Sequence, residues 1–376
     1  MDEYGKRSLL KVPGTILFGT GTVEELGKLS GEYGTKAVLV TGGTSIRQSG
    51  NFDRICAALR RSDIDVQTVE GVTHDPDELL VDGIVEKIRS IGPDVIIGAG
   101  GGSVIDTAKA ASIIVVNGGA VRDYWEGKSF TECSIPYIAL PTTSGTGAEI
   151  TKNAVISEKN GLFKKSIRSE YMVPNCAIID PSLTLSVPPE VTVDTGLDAL
   201  IQNLEAYTSK NSGPITDTLA SKAIGLAIEY LPAAYRNPSD LRAREALSLA
   251  SLYGGITLAN AGLGLAHGLS HPLGIGFGVP HGRACAVFMP KVIEYNYPAR
   301  KERYGELARL LDRGDDPASA FKRFAEELGV STRLGDYGVK AEDIPGIVEN
   351  SRGGSRNFNP VDHDDETVEK MLVEML

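Results

Sequence analysis

The sequence predicts an α/β domain with a parallel sheet, followed by an all-helical domain, and three observations carry this. Up to about Pro181, short β-branched runs alternate with amphipathic helical segments, the pattern of a parallel sheet covered by helices. After SVPPE (186–190) the strand signals stop and helical periods run to the C-terminus. A length of 376 residues also exceeds what one hydrophobic core usually covers. The expected domains are residues 1–184 and 185–376, with a cleft between them as the default place for a ligand.

In chain order, the candidate strands are residues 37–41, 65–69, 94–98, 135–140 and 177–180, with helices between them. One helix start is well marked: Asp75, Pro76, Asp77 and Glu78 offer an acidic cap, a proline at the first helical position and a capping-box glutamate.

A net charge of -11 argues against a nucleic-acid or anionic-membrane partner, because such surfaces are met by clustered Lys and Arg. Cys56, Cys133, Cys176 and Cys285 lie far apart without a CxxC pair, so the spacing suggests neither a thiolate zinc site nor a disulfide framework. The opening MDEYGKRSLLKVPG carries charges where a signal peptide needs an apolar core, and no apolar run is long enough to span a bilayer. A soluble cytoplasmic protein is expected, and a homo-oligomer is the general expectation for a soluble enzyme.

The strand at 94–98 runs into GAGGGSVIDTAKA, where Gly100, Gly101, Gly102 and Ser103 precede a helix expected to begin near Val104. Glycines allow close backbone approach, and a helix start offers unpaired N–H groups and a positive dipole end, which suits a pyrophosphate. The spacing is not the GxGxxG of the usual dinucleotide fold. A second loop, PTTSGTGAE (141–149), follows the next central strand, so its hydroxyls and amides should emerge at the same carboxyl edge. Asp106 is placed to bond a ribose or amide group, or else to pair with the helix dipole. Where dinucleotide folds usually end the second strand on an acid, this chain has Gly42 and Gly43, then Thr44, Ser45 and Arg47. Two hydroxyls and a guanidinium favour a ribose phosphate, hence NADP over NAD.

His267, His271 and His281 fall together in GLAHGLSHPLGIGFGVPHG, the first two one helical turn apart, with the glycine-rich bend at 274–280 returning the third. DALIQ adds Asp198, and Gln202 lies on the same helical face. Two histidines and a carboxylate are typical of iron(II) or catalytic zinc with positions left open for substrate.

With these motifs, the chain resembles the iron-containing (group III) alcohol dehydrogenases, a family related to glycerol dehydrogenase and dehydroquinate synthase. The likeness runs nearly end to end, through GGGSVIDTAKA, PTTSGTGAE, DALIQNLEAY, AHGLSHPLG, PHGRACAVFMPKVIEYN and NFNPVDHDDETVEKML. It implies a dehydroquinate synthase-like pair of domains and an NAD(P)-linked oxidoreductase acting on a small alcohol, aldehyde or ketone, with Fe2+ or Zn2+. The family's metal ligands are an aspartate, a histidine four residues later, and two later histidines. Their positions here are Asp198, Gln202, His267 and His281, so Gln202 is a departure from the pattern. An amide oxygen is a weaker ligand than imidazole, which makes Gln202 either a weak fourth ligand or a hydrogen-bonding group facing the substrate. The resemblance also implies a proton relay at His271. Cofactor contacts are implied at Gly100 to Ser103, Thr142, Thr143, Thr146 and Lys164, with Lys165 the alternative register, and Gly42 replaces the aspartate of NAD-preferring members. The rival expectations are a dehydroquinate synthase-like lyase or cyclase and a metal-independent reductase resembling maleylacetate reductase.

Overall fold

The computed structural model describes residues 10–160, 163–311 and 316–376. They divide into two compact units, Val12–Thr143 with Gly147–Val187, and Pro188–Leu376 with Ser144–Thr146 and residues 10–11.

The first unit holds a six-stranded parallel sheet of β1 (Thr15–Phe18), β2 (Lys36–Thr41), β3 (Asp65–Val69), β4 (Val95–Gly100), β5 (Tyr137–Pro141) and β8 (Cys176–Ile179), in the order β1-β8-β5-β4-β2-β3. KAVLVT and VIIGAG, which form β2 and β4, are nearly continuous apolar runs because these inner strands are covered on both faces. Val38, Val40 and Ile96 face one core, Leu39, Val95 and Ile97 the other. An antiparallel hairpin of β6 (Asn153–Ser157) and β7 (Lys164–Arg168) stands apart from the sheet.

The sheet order fixes where a ligand belongs. Strands β2 and β4 are neighbours, yet the chain leaves β2 towards β3 on one side and leaves β4 towards β5 on the other. Such a switch point opens a crevice at the carboxyl ends of the strands. Residues 42–45 and 101–103 follow those two ends.

The helices that frame this unit include α1 (Asn51–Arg60), α2 (Glu78–Ile91) and α3 (Gly102–Asn117). The start of α2 corrects the sequence expectation. Asp77, not Asp75, is the cap, its carboxylate accepting from Leu80 N at 2.8 Å, and Pro76 lies outside the helix. Helix α3 likewise begins at Gly102, two residues ahead of Val104, directly after the strand.

The second unit is helical among the described residues, with α4 (Pro189–Thr208), α5 (Pro214–Arg236), α6 (Leu241–Ala261), α7 (Leu265–Phe277) and α8 (His281–Asn296) around one apolar core. Helices α6 and α7 meet at 109° across residues 262–264, where Gly262 has φ +74°. No single helix among the described residues is long and apolar enough to cross a membrane.

Candidate metal centre and cofactor loops

The two glycine- and threonine-rich loops lie side by side. Thr142 N donates to the Gly100 carbonyl at 2.8 Å, and a Cβ on Gly101 would stand 3.4 Å from Thr143 Oγ1. Gly101 precedes the free N–H groups of α3 without a side-chain cap, so the start of that helix keeps its donors for a ligand. Ser144–Thr146 belongs to the helical unit, where Ser144 Oγ lies 2.9 Å from Ser248 Oγ, so Thr142 and Thr143 fall in one unit and Thr146 in the other.

Asp75 joins parts that the sequence left separate. Its N–H donates to Ser103 Oγ at 3.3 Å, and its carboxylate holds Lys164 Nζ at 2.7 Å. Burial would raise this carboxyl, but His74 and Lys164 outweigh it and hold it well below the usual range. Its φ of +52° is uncommon for a residue with a side chain. Lys165 instead donates to the Trp125 carbonyl at 2.6 Å, so Lys164 is the lysine beside the Ser103 loop.

At the end of β2, a Cβ on Gly42 would meet only ordinary contacts, Val72 O at 3.5 Å and Val104 Cγ2 at 3.6 Å. Thr44 caps the single helical turn Ser45–Gln48 without a side-chain bond. Arg47 is committed elsewhere: its fork grips Glu70 at 2.6 and 2.7 Å. Asp106 is buried, accepts from Val155 N at 2.9 Å and lies 3.7 Å from Lys109 Nζ. Lys109 in turn donates to the carbonyls of Ala148 and Asn153. Beside them burial pushes the Glu149 carboxyl up to about 7.

The metal candidates converge in the helical unit. Helix α4 carries Asp198, Gln202 and Glu205, α7 carries His267 and His271, and α8 begins with His281. His267 Nε2 lies 3.3 Å and His281 Nε2 3.7 Å from Asp198 Oδ1. The bend that returns His281 is shorter than residues 274–280, because α7 continues to Phe277 and turns at Gly278, whose φ is +67°. The ring of His271 stacks on His281 with centroids 5.4 Å apart.

The ring tautomers follow from the hydrogen-bond network. Glu205 Oε2 accepts from His267 Nδ1 at 2.7 Å. Ser270 Oγ spends its proton on the His267 carbonyl and so accepts from His281 Nδ1 at 3.2 Å. Each Nδ1 is thereby a donor, which leaves each Nε2, facing the same carboxylate oxygen, as the position for a proton or a cation. Lone pairs and a carboxylate repel unless a proton or a cation sits among them, and the carboxylate–histidine arrangement at Glu205 is the one that orients metal-bound imidazole. Burial would raise Asp198, but His281, His267 and His271 outweigh it and keep the carboxyl below its usual value. For His267, burial opposes the proton, while Cys285, Asp198 and Glu205 carry its pKa well above the ordinary range.

Two residues of this site escaped sequence reasoning. Glu205 also accepts from the backbone N–H groups of Gly264 and Ala266 at 2.9 and 2.7 Å, capping α7 from the side. Its signal was its position two turns after Asp198. Cys285 is the second, unannounced by the spacing between cysteines: ligand atoms of Asp198, His267, His281 and Cys285 all lie within 4.8 Å of one another. The useful spacing was His281 to Cys285, one helical turn, not cysteine to cysteine. Burial would raise this thiol, yet His267 and His281 outweigh it and bring it down to about 7. Gln202 Nε2 is buried without a hydrogen-bond partner, pressed where a Cβ on Gly254 would lie 2.8 Å away.

Comparison with known proteins agrees over both units. Residues 13–181 match the iron-containing alcohol dehydrogenase family, and residues 192–376 match the C-terminal region of the Fe-containing alcohol dehydrogenase family. The chain is 33% identical to an NAD-dependent methanol dehydrogenase of Bacillus methanolicus over 350 residues, 90% of this chain and 92% of that one. It is 32% identical to an NADPH-dependent butanol dehydrogenase of Clostridium saccharobutylicum over 357 residues, 90% of this chain and 89% of that one. The crystal structure of a 1,3-propanediol oxidoreductase superposes with a TM-score of 0.93 at 31% identity, covering 99% of this chain and 100% of that chain.

Proposed function

Because the chain belongs to the iron-containing alcohol dehydrogenase family, we propose that it is a metal-dependent, NAD(P)-linked alcohol dehydrogenase or aldehyde reductase acting on a small alcohol or its carbonyl partner. The observation that carries the proposal is the convergence of two imidazole Nε2 atoms on the buried carboxylate of Asp198. Asp198, His267 and His281 hold the ion, with Gln202 beside them as a further oxygen donor or a group facing the substrate. When bound, the divalent metal polarises the substrate oxygen as a Lewis acid, and the dinucleotide takes or gives the hydride.

The protein's own residues do the rest. Gly100, Gly101, Gly102 and Ser103 receive the pyrophosphate at the start of α3, and Thr142, Thr143 and Thr146 with Lys164 orient the nucleotide. Gly42, Thr44 and Ser45 receive the adenosine ribose, leaving NAD and NADP both admissible, while Asp106 braces the unit from within. Glu205 fixes the His267 ring, and His271 passes the proton between the substrate oxygen and solvent.

A dehydroquinate synthase-like lyase is less well supported. It needs basic groups free for a sugar phosphate, and Arg283, two residues after His281, donates to Asp194 at 2.8 Å. Four free thiols support a reducing cytoplasmic setting, and a homo-oligomer is the ordinary state of soluble enzymes. The test is His267→Ala with metal analysis and a nicotinamide absorbance assay. Bound metal and turnover should be lost together, and full turnover without metal would reject the mechanism.

A further inference from the structure

Gln202 stands where the family pattern places a histidine, so the chain has lost one imidazole donor from its metal site. The structure brings a different donor to the same cluster. Cys285 follows His281 by one turn of α8, is fully buried, and places Sγ 4.0 Å from His281 Nε2.

The spacing suits a common ion. Metal–nitrogen and metal–oxygen bonds of about 2.1 Å and metal–sulfur bonds of about 2.3 Å, at tetrahedral angles, separate nitrogen and oxygen donors by roughly 3.4 Å and nitrogen and sulfur by roughly 3.6 Å. The separations of 3.3, 3.7 and 4.0 Å lie within a few tenths of an ångström of these values, and all four ligand atoms lie within 4.8 Å of one another, so closure asks for about an ångström at most, within reach of side-chain rotation. Gln202, by contrast, presses its amide nitrogen towards Gly254 and makes no hydrogen bond with it.

We propose that Cys285 is the fourth protein ligand of the metal in this chain, its thiolate taking the place of the imidazole that Gln202 replaces, so that the site takes zinc in preference to iron(II). The proposal rests on the metal-dependent reading above and adds the ligand and the metal. Asp198 and Cys285 together bring two negative charges, which neutralise a divalent ion. With one carboxylate and three imidazoles the ion would keep a net positive charge. A soft sulfur donor also favours zinc over iron(II) among the ions available to such a site. Gln202 then stays outside the donor set, and the substrate oxygen would enter as a fifth donor, an expansion that catalytic zinc allows.

The test uses metal-free protein carrying Cys133→Ser, which removes the exposed thiol, titrated anaerobically with cobalt(II) alone. An intense near-ultraviolet sulfur-to-cobalt charge-transfer band should saturate at one cobalt per chain. Adding Cys285→Ser should abolish that band, retain the weaker visible bands of bound cobalt, and weaken zinc binding at least ten- to hundredfold in a chelator competition. One bound cobalt without the charge-transfer band would overturn the thiolate ligand while leaving the metal site intact. Failure to bind cobalt or zinc at all would reject the metal-dependent reading, and the proposal with it. The parent spectrum decides the matter even where the Cys285 variant fails to fold.

Discussion

Replacing Glu205 with glutamine keeps the shape of a buried side chain that three backbone N–H groups and one imidazole N–H all use as an acceptor. The amide can offer only one oxygen. Its least costly orientation keeps that oxygen at the Oε2 position, where Gly264, His267 N and His267 Nδ1 converge, and turns the NH2 towards Ala266 N. One buried donor is then orphaned, at about 1–3 kcal/mol, and the remaining bonds fall from charge-assisted to neutral strength, about 1 kcal/mol more. A loss of roughly 2–4 kcal/mol should lower the melting temperature of the metal-free protein by roughly 5–15 °C, given about 2–4 °C per kcal/mol for a domain of this size. The His267 ring also loses the anion that sharpens its Nε2 lone pair, so zinc affinity should drop about 10- to 100-fold. Calorimetry of the metal-free form and chelator competition measure the two effects separately. A variant that melts within about 2 °C of the parent and binds zinc equally well would refute the assignment of Glu205 as both helix cap and imidazole anchor.

Gly282→Ala should act on the site without touching a ligand. Its Cβ would lie 2.8 Å from Asp198 Cβ and closer still to the Asp194 carbonyl, so α8 must lift away from α4. A stability loss of about 1–3 kcal/mol and weaker metal binding should appear together in melting and zinc titrations. Glu70→Gln should free the Arg47 guanidinium beside Thr44 and Ser45 and raise the NADP-over-NAD ratio of kcat/KM by roughly three- to fivefold, a figure limited by the exposure of this ion pair. Glu149→Gln should flatten a pH dependence. The folded carboxyl titrates near 7 against an ordinary 4.5, so the native chain binds the proton more tightly than the unfolded chain. Its contribution is fully present below about 4.5 and is lost as pH rises through 7. The variant should therefore gain stability relative to the parent between pH 5 and pH 8, and urea unfolding at both pH values with no such gain would refute the sign.

The sheet and the glycine-rich turn after its central strand were legible because their physics is local. Inner strands buried on both faces must be apolar along their whole length, and VIIGAG followed directly by glycines announces a strand that turns into a helix. The sequence missed β1, whose four residues are mostly half-exposed, and the hairpin, whose KKSIR strand is polar because it lies outside the sheet. His267, His271 and His281 were legible as a cluster because they are close in the chain. Glu205 and Asp75 were not, since each acquires its role from partners far away in sequence, whereas Cys285 lies one turn past His281 and is hidden only when cysteines are compared with one another. Glu205 meets the start of α7 about sixty residues on, and Asp75 meets Lys164 across a separate strand. The preference of Arg47 for Glu70 was equally invisible. From sequence the guanidinium looked available to a phosphate, but a carboxylate at the end of the neighbouring strand already fills its fork.

The glycines around the histidines have a geometric cause that links fold to chemistry. Aspartate, histidine and cysteine are short ligands, so donors from α4, α7 and α8 reach a common point only if the three backbones approach closely. At Gly282 a side chain would strike Asp198, and at Gly264 a Cβ would lie 2.8 Å from Glu205 Oε1. Both positions therefore exclude side chains for the same reason: each stands where one helix presses against a residue of the site carried by α4. Such an arrangement cannot relax by half an ångström without separating His281 or His267 from Asp198. It follows that substitutions at these glycines should damage metal affinity more than their distance from the donors would suggest, and that restoring the ligands alone would not repair them.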